Sequence, residues 1–329
     1  MGDVAMTAPV LQQFLQQNTN VNITVLTDDF LKPLFEGLER TNVLGVDKKQ
    51  AHKGLTGILK IHKALKVYKI DAVADLHNVL RSKILRSLFF ISGKKIASIN
   101  KARSKKKELT KKNNKTLHQL KTGFERYADV FRNLGFTLTL DIKKQVYSKR
   151  PMPAAIASII NATKKLVIVA PFAQHQPKIY PPNKMRHVLA TIASNPNIQV
   201  LLLGGKADKP VLDEWLHQLP NAINIAGVLP FTDELALLSN ADAVISMDSA
   251  NAHLASLFSV PVITIYGATH PYLGFYPWAQ SPENAVQIEL PCRPCSVYGN
   301  IPCYRGDHAC MEWITEVLIL DKLNHILNK

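Results

Sequence analysis

The sequence predicts an α/β fold of two Rossmann-like halves, each a parallel sheet with helices on its faces. Short apolar runs alternate with segments of helical period along most of the chain. In the second half these runs stop at small or turn-forming residues, as strands do before a crossover helix. Charge divides the chain as well. Residues 1–150 hold 29 Lys/Arg against 12 Asp/Glu, a net of +17, whereas residues 151–329 hold 11 against 13. The prolines of SKRPMP, Ser148–Pro153, mark the linker. The expected domains are therefore 1–150 and 151–329, and 329 residues that are 47% hydrophobic suffice for two cores.

In the first half, strands are expected at 22–26, 43–46 and 72–76, with helices at 30–38, 55–67, 79–90 and 116–134. Ten Lys/Arg and one Glu fall between Lys94 and Lys115, a composition that predicts a mobile loop. In the second half, strands are expected at LVIVA (166–170), QVLLL (199–203), 223–225, AVISM (243–247) and VITIY (262–266). Helices are expected at 183–193, 209–218, 233–239 with Thr232 as cap, and 249–258, with a further helix at the C-terminus. Two such halves place a ligand cleft between them, at the C-terminal ends of the strands.

The candidate site residues follow from those strand ends. After AVISM come Asp248, Ser249 and Ala250, then His253; free N–H groups of a helix start suit a diphosphate. The competing reading makes Asp248 a helix cap and His253 a packed helix histidine. Gly267–Pro271 forms a second turn at the same edge. Gln174, His175 and Lys178 follow LVIVA, where a cation suits a phosphate, although a loop lysine is commonly just solvated. Gly204 and Gly205 end QVLLL and allow close approach of a base or ribose. In the first half Asp75, His77 and Arg81 follow AVADL, with an aspartate cap and a surface arginine as the alternative. No G-x-G-x-x-G fingerprint or Walker A sequence is present.

Cys292, Cys295, Cys303 and Cys310 form the pattern C-x2-C-x7-C-x6-C within 292–310. Three readings stay open: a structural zinc or other metal, an occasional disulfide, and free thiols. The opening MGDVAMTAPVL reads as a turn and helix with Asp3 at the cap position. In an α/β protein such a turn follows a strand. None precedes this one, so the first strand of the N-terminal sheet is expected to be missing from the chain as written.

MGDVAMTAPVL, KIYPPNKM and MDSANAHLASLFSVPVITIYGATHP together resemble glycosyltransferase family 9, the ADP-heptose:lipopolysaccharide heptosyltransferases. The resemblance runs over nearly the whole chain. It implies the GT-B fold, with two parallel sheets facing across a cleft, and metal-independent, inverting sugar transfer with no cofactor. The donor implied is a nucleotide-diphosphate sugar such as ADP-heptose, bound by Gln174, Lys178, Gly204, Gly205, Asp248, Ser249, Ala250 and His253. The acceptor implied is the lipid A–core, met by Asp75, His77 and Arg81 and by the basic Lys105, Lys106 and Lys107. Asp3 matches the family's proposed general base. Ala173 and Gln174 stand where hydroxyls usually precede the lysine, and the ribose-holding glutamate is replaced near Lys206–Asp208.

A monomer is expected. So is a cytoplasmic enzyme, peripheral on the anionic inner-membrane surface, because no apolar run reaches membrane-spanning length and no signal peptide opens the chain. The runner-up is a sugar-nucleotide epimerase of the same fold, which leaves the basic segment unexplained. A nucleic-acid-binding protein is the third reading, and the basic run lacks the interleaved aromatics it needs; no nucleic-acid partner is expected.

Overall fold

The computed structural model describes residues 1–328. Contacts divide the chain into two compact units. The first contains Asp3–Ala102 and Lys121–Ile142; the second contains Arg103–Leu120 and the residues from Lys143 on.

The second unit is built on a six-stranded, all-parallel sheet. Its strands are β5 (Lys165–Ala170), β6 (Ile198–Leu202), β7 (Ala222–Asn224), β8 (Ala243–Met247), β9 (Val262–Ile265) and β10 (Ala285–Val286), in the order β10-β9-β8-β5-β6-β7. Every residue of β6, β8 and β9 is buried, as strands covered on both faces must be, and this is why they read as unbroken apolar runs. Helices at Pro182–Ala193, Lys209–Leu216, Phe231–Leu238, Ala250–Ser256 and Glu316–Leu327 complete this unit's crossovers and cover. Met185, Leu189, Trp215, Ile314 and Leu323 pack with the sheet residues Val167, Val169, Val200 and Ile245 in one core. The strand order reverses between β5 and β8. A parallel sheet leaves a crevice at such a switch point, beyond the strands' C-terminal ends.

The first unit carries two separate parallel pairs, β1 (Ile23–Asp28) with β2 (Thr41–Val46), and β3 (Ala72–Asp75) with β4 (Lys95–Ser98). Helices Gly54–Leu65 and Leu80–Ile91 pack together beside them through Ile61, Leu65 and Phe89. Helix Ala8–Gln17 buries seven of its ten residues. Its Phe14 ring lies 4.4 Å from that of Phe131 on helix Gly123–Asn133. Arg40 ties the end of this helix to the following turn, donating from Nη1 to the carbonyls of Thr19 and Val21 at 2.7 and 2.8 Å.

Several expectations shift. Residues 29–35 form a 3-10 helix, not an α-helix, since Pro33 removes a backbone donor. Thr232 lies inside its helix, whose cap position is Pro230. The helix expected from Thr116 starts at Gly123, where the Thr122 side chain accepts from Glu125 N at 3.2 Å. The basic run contains β4 and a helix, Arg103–Leu109. Lys106 within it is buried, with Nζ 3.7 Å from the Phe275 ring centroid. Lys115 donates to the carbonyls of Cys292 and Pro294 at 2.7 and 2.9 Å.

Candidate active site

The parallel sheet brings four loops to one edge of the second unit. They follow β5, β6, β8 and β9, which are neighbours in the sheet. Lys178 closes the short 3-10 turn Gln176–Lys178 after β5. Its Nζ lies 3.0 Å from Oδ2 of Asp248, the residue after β8. That ion pair spans the switch point, and both side chains are largely buried, 15% and 11% exposed. Thr269, in the turn after β9, donates from Oγ1 to the same Asp248 oxygen at 2.7 Å. One carboxylate oxygen thus links three strand ends.

Asp248 is not a helix cap. The cap position belongs to Ser249, whose backbone is extended and whose side chain makes no capping bond. Ser249 Oγ instead lies 3.0 Å from Ser246 Oγ. The helix that follows is short, Ala250–Ser256, and His253 is buried in it. Gly204 and Gly205 follow β6, and Gly205 N donates to Asp208 Oδ2 at 2.8 Å, which folds the loop back on itself. Gln174 is exposed on the β5 loop.

Several residues that hold this edge escaped sequence reading. Thr269 sits in a turn that was visible, but its bond to Asp248 needs the sheet order to be known. Arg293 is buried and serves the β9 turn, donating from Nε to Gly267 O at 2.6 Å and from Nη2 to Thr269 O at 3.0 Å. Cys295 N and Ser296 N donate to Ala268 O at 3.0 and 3.2 Å, so the cysteine-bearing segment is folded onto this turn. Gly299, with φ +72°, packs against the Lys178 stem, where a Cβ would collide with Cγ and Cδ. An arginine between two cysteines carried no signal for this work.

The four cysteines are free. Burial pushes the Cys310 thiol up to about 11 and raises that of Cys295, so both stay protonated at neutral pH. A metal takes the thiolate. Among the described residues no three Cys, His, Asp or Glu side chains gather as a metal-holding group.

In the first unit Asp75 is buried and bonded throughout. Its Oδ1 accepts from the backbone N–H groups of His77 and Asn78 at 3.1 and 2.7 Å. Its Oδ2 accepts from Ser82 Oγ at 3.0 Å and Arg86 Nη1 at 2.9 Å. Asp75 therefore shapes the turn that presents His77. Desolvation and the nearby Lys101 lower the His77 pKa, against the pull of Asp3, which leaves its imidazole neutral at pH 7. Asp3, in the opening helix Gly2–Ala5, is exposed, and its carbonyl accepts from Tyr127 OH at 3.2 Å. Arg81 shelters Nε and Nη2 from solvent with no hydrogen-bond partner for either among the described residues. In the basic segment of the second unit, Lys105 and Lys107 are exposed on either side of buried Lys106.

Two α/β units, one with charged and polar side chains gathered over the switch point of its parallel sheet, define the class of fold. A family model, glycosyltransferase family 9 (heptosyltransferase), matches residues 58–303, and the chain belongs to that family. It is a glycosyltransferase. The lipooligosaccharide heptosyltransferase 2 of Haemophilus influenzae is 24% identical, across 100% of this chain and 97% of its own. The crystal structure of a family 9 glycosyltransferase from Veillonella parvula superposes with a TM-score of 0.79 at 17% identity, covering 99% of this chain and 94% of its own. The Escherichia coli heptosyltransferase WaaC with ADP gives 0.69 at 17% identity, covering 99% and 96%. The fold is thus GT-B, and the family match puts the transferase ahead of the epimerase of the same fold.

Two tests probe this edge. Gly299→Ala should lower stability by about 1–2 kcal/mol, because a Cβ is strained at positive φ and displaces the Lys178 stem; thermal unfolding as late as the parent's would refute that packing. His270 gives a pH signature. It is buried, and its Nδ1 accepts from Tyr272 N at 3.1 Å, so the neutral ring carries its proton on Nε2. Burial, and then Arg293, push its pKa down from 6.5 to about 4. The folded value lies below the unfolded one, so the unfolded chain takes up the proton first. Stability from this residue is complete above pH 6.5 and is lost as pH falls towards 4, by about 3 kcal/mol. His270→Asn keeps an acceptor and should flatten that acid loss in denaturant melts at pH 5 and 7; an unchanged slope would remove His270 as its source.

Proposed function

We propose that this enzyme transfers a heptose from ADP-heptose to a hydroxyl of a lipid A–core acceptor, with inversion, at the cytoplasmic face of the inner membrane. The observation that carries the donor half is the Lys178–Asp248–Thr269 junction over the switch point. A diphosphate bound there meets the Lys178 ammonium and the N–H groups at Ser249 and Ala250, and these stabilise the charge that grows on it as the anomeric bond breaks. Asp248 holds the ammonium in place until the donor arrives, then shares it. Gly204 and Gly205 leave room for the nucleoside, and the relative solved with ADP favours adenine. With positive charge supplied by the protein, transfer calls for no metal ion.

The acceptor half rests on Arg81 of the first unit and on the exposed lysines of the basic segment. The sheltered, unpartnered N–H groups of Arg81 suit a carboxylate or phosphate of the acceptor. Lys105 and Lys107 add exposed positive charge. Asp3 is the general base: an exposed carboxylate with neutral His77 in its field, ready to take the acceptor hydroxyl's proton as its oxygen attacks.

Asp3→Asn should lower the rate of heptose transfer by roughly 10²- to 10⁴-fold, the range for a lost general base, and leave ADP affinity by calorimetry unchanged. Transfer at the parental rate would move the base to His77. In a thermal-shift series ADP should stabilise the protein above GDP and UDP; a larger shift with UDP would overturn the adenine assignment.

A further inference from the structure

Helix Leu80–Ile91 is inverted in its packing. Its one fully buried residue is Phe89, while Leu80, Phe90 and Ile91 are 75%, 70% and 81% exposed. Together with exposed Lys83 and Ser87 they fall within a stripe about 100° wide at 100° per residue. Lys94 and Lys95 follow directly. The helix packed against it, Gly54–Leu65, adds exposed Leu55 and Leu59, and the turn after that helix adds Val67, 80% exposed. A helix that keeps Leu80, Phe90 and Ile91 in water, beside lysines, has the pattern of an interfacial helix.

Charge selects the occupant. Residues 53–95 hold ten Lys/Arg and two acidic residues, Asp71 and Asp75, and Asp75 is buried. A second copy of the same face would meet like charge. An anionic bilayer offers acyl chains to Phe90 and Ile91 and phosphates to the lysines. We propose that the face formed by helices Leu80–Ile91 and Gly54–Leu65 docks this enzyme on anionic membrane. The proposal rests on the reading of a lipid-borne acceptor and gives that reading its surface. It assigns docking to apolar insertion in the first unit, apart from Lys105–Lys107.

The test is sedimentation of the full chain with vesicles of phosphatidylcholine alone and of phosphatidylcholine mixed with phosphatidylglycerol. The parent should bind the mixed vesicles. The F90S/I91S variant removes only exposed apolar surface, so its fold should hold, and its affinity for those vesicles should fall by at least about tenfold. L55S/L59S should fall in the same direction. ADP binding and transfer to a deacylated, water-soluble acceptor should be unchanged in both variants. Equal vesicle binding by parent and variants overturns the proposal. So does a parent that ignores vesicles but forms a dimer that F90S/I91S splits, which would assign the face to a second copy. Failure of the heptosyltransferase reading would appear separately, as no product from the soluble acceptor while vesicle binding still depends on Phe90 and Ile91.

Discussion

The contacts of the Asp248 carboxylate are the interactions on which the second unit's strand-end loops depend. The carboxylate stands at the end of β8, between the loops that follow β5 and β9, and holds both. A buried carboxylate is stable there because a lysine and a hydroxyl both meet its Oδ2. Each partner is supported in turn. The Lys178 stem leans on Gly299, and Thr269 sits in a turn fixed by Arg293. The cysteine-bearing segment supplies both supports, and Lys115 from the basic segment fastens it through the carbonyls of Cys292 and Pro294. The basic segment, the cysteines and the strand ends around Asp248 are therefore one connected structure.

The two units put their stability in different places. The second is a wide sheet buried on both faces, with a single large core. The first divides its strands into two pairs and leaves large apolar side chains in water on helix Leu80–Ile91. That division suits an enzyme whose donor is small and soluble and whose acceptor is carried by a lipid. In the proposed function the rigid edge would serve the diphosphate, and the apolar, basic face a membrane surface.

Legibility in the sequence followed burial. AVISM was read residue for residue as β8, because strands buried on both faces are unbroken apolar runs bounded by turns. β4 was missed because KIAS sits among lysines and only Ala97 of it is fully buried. The basic run looked like mobile loop on charge alone. Its order comes from Lys106 on Phe275 and Lys115 on the cysteine segment, contacts far apart in sequence. At the site, Lys178 and Asp248 were legible because each follows a recognisable strand. Their pairing, the Thr269 bond and the role of Arg293 were not, since each depends on which strands are neighbours.

The central claim is that Lys178 and Asp248 act as one unit in holding the donor diphosphate. Calorimetric ADP affinity of Lys178→Ala, Asp248→Asn and the double variant tests it most directly. Lys178→Ala should weaken ADP by roughly 1.5–3 kcal/mol, the range for a hydrogen bond to a charged group. Asp248→Asn should weaken it less, and the double variant should fall short of the sum, because Asp248 acts through Lys178. Parental affinity in Lys178→Ala, or losses that add in full, would contradict it.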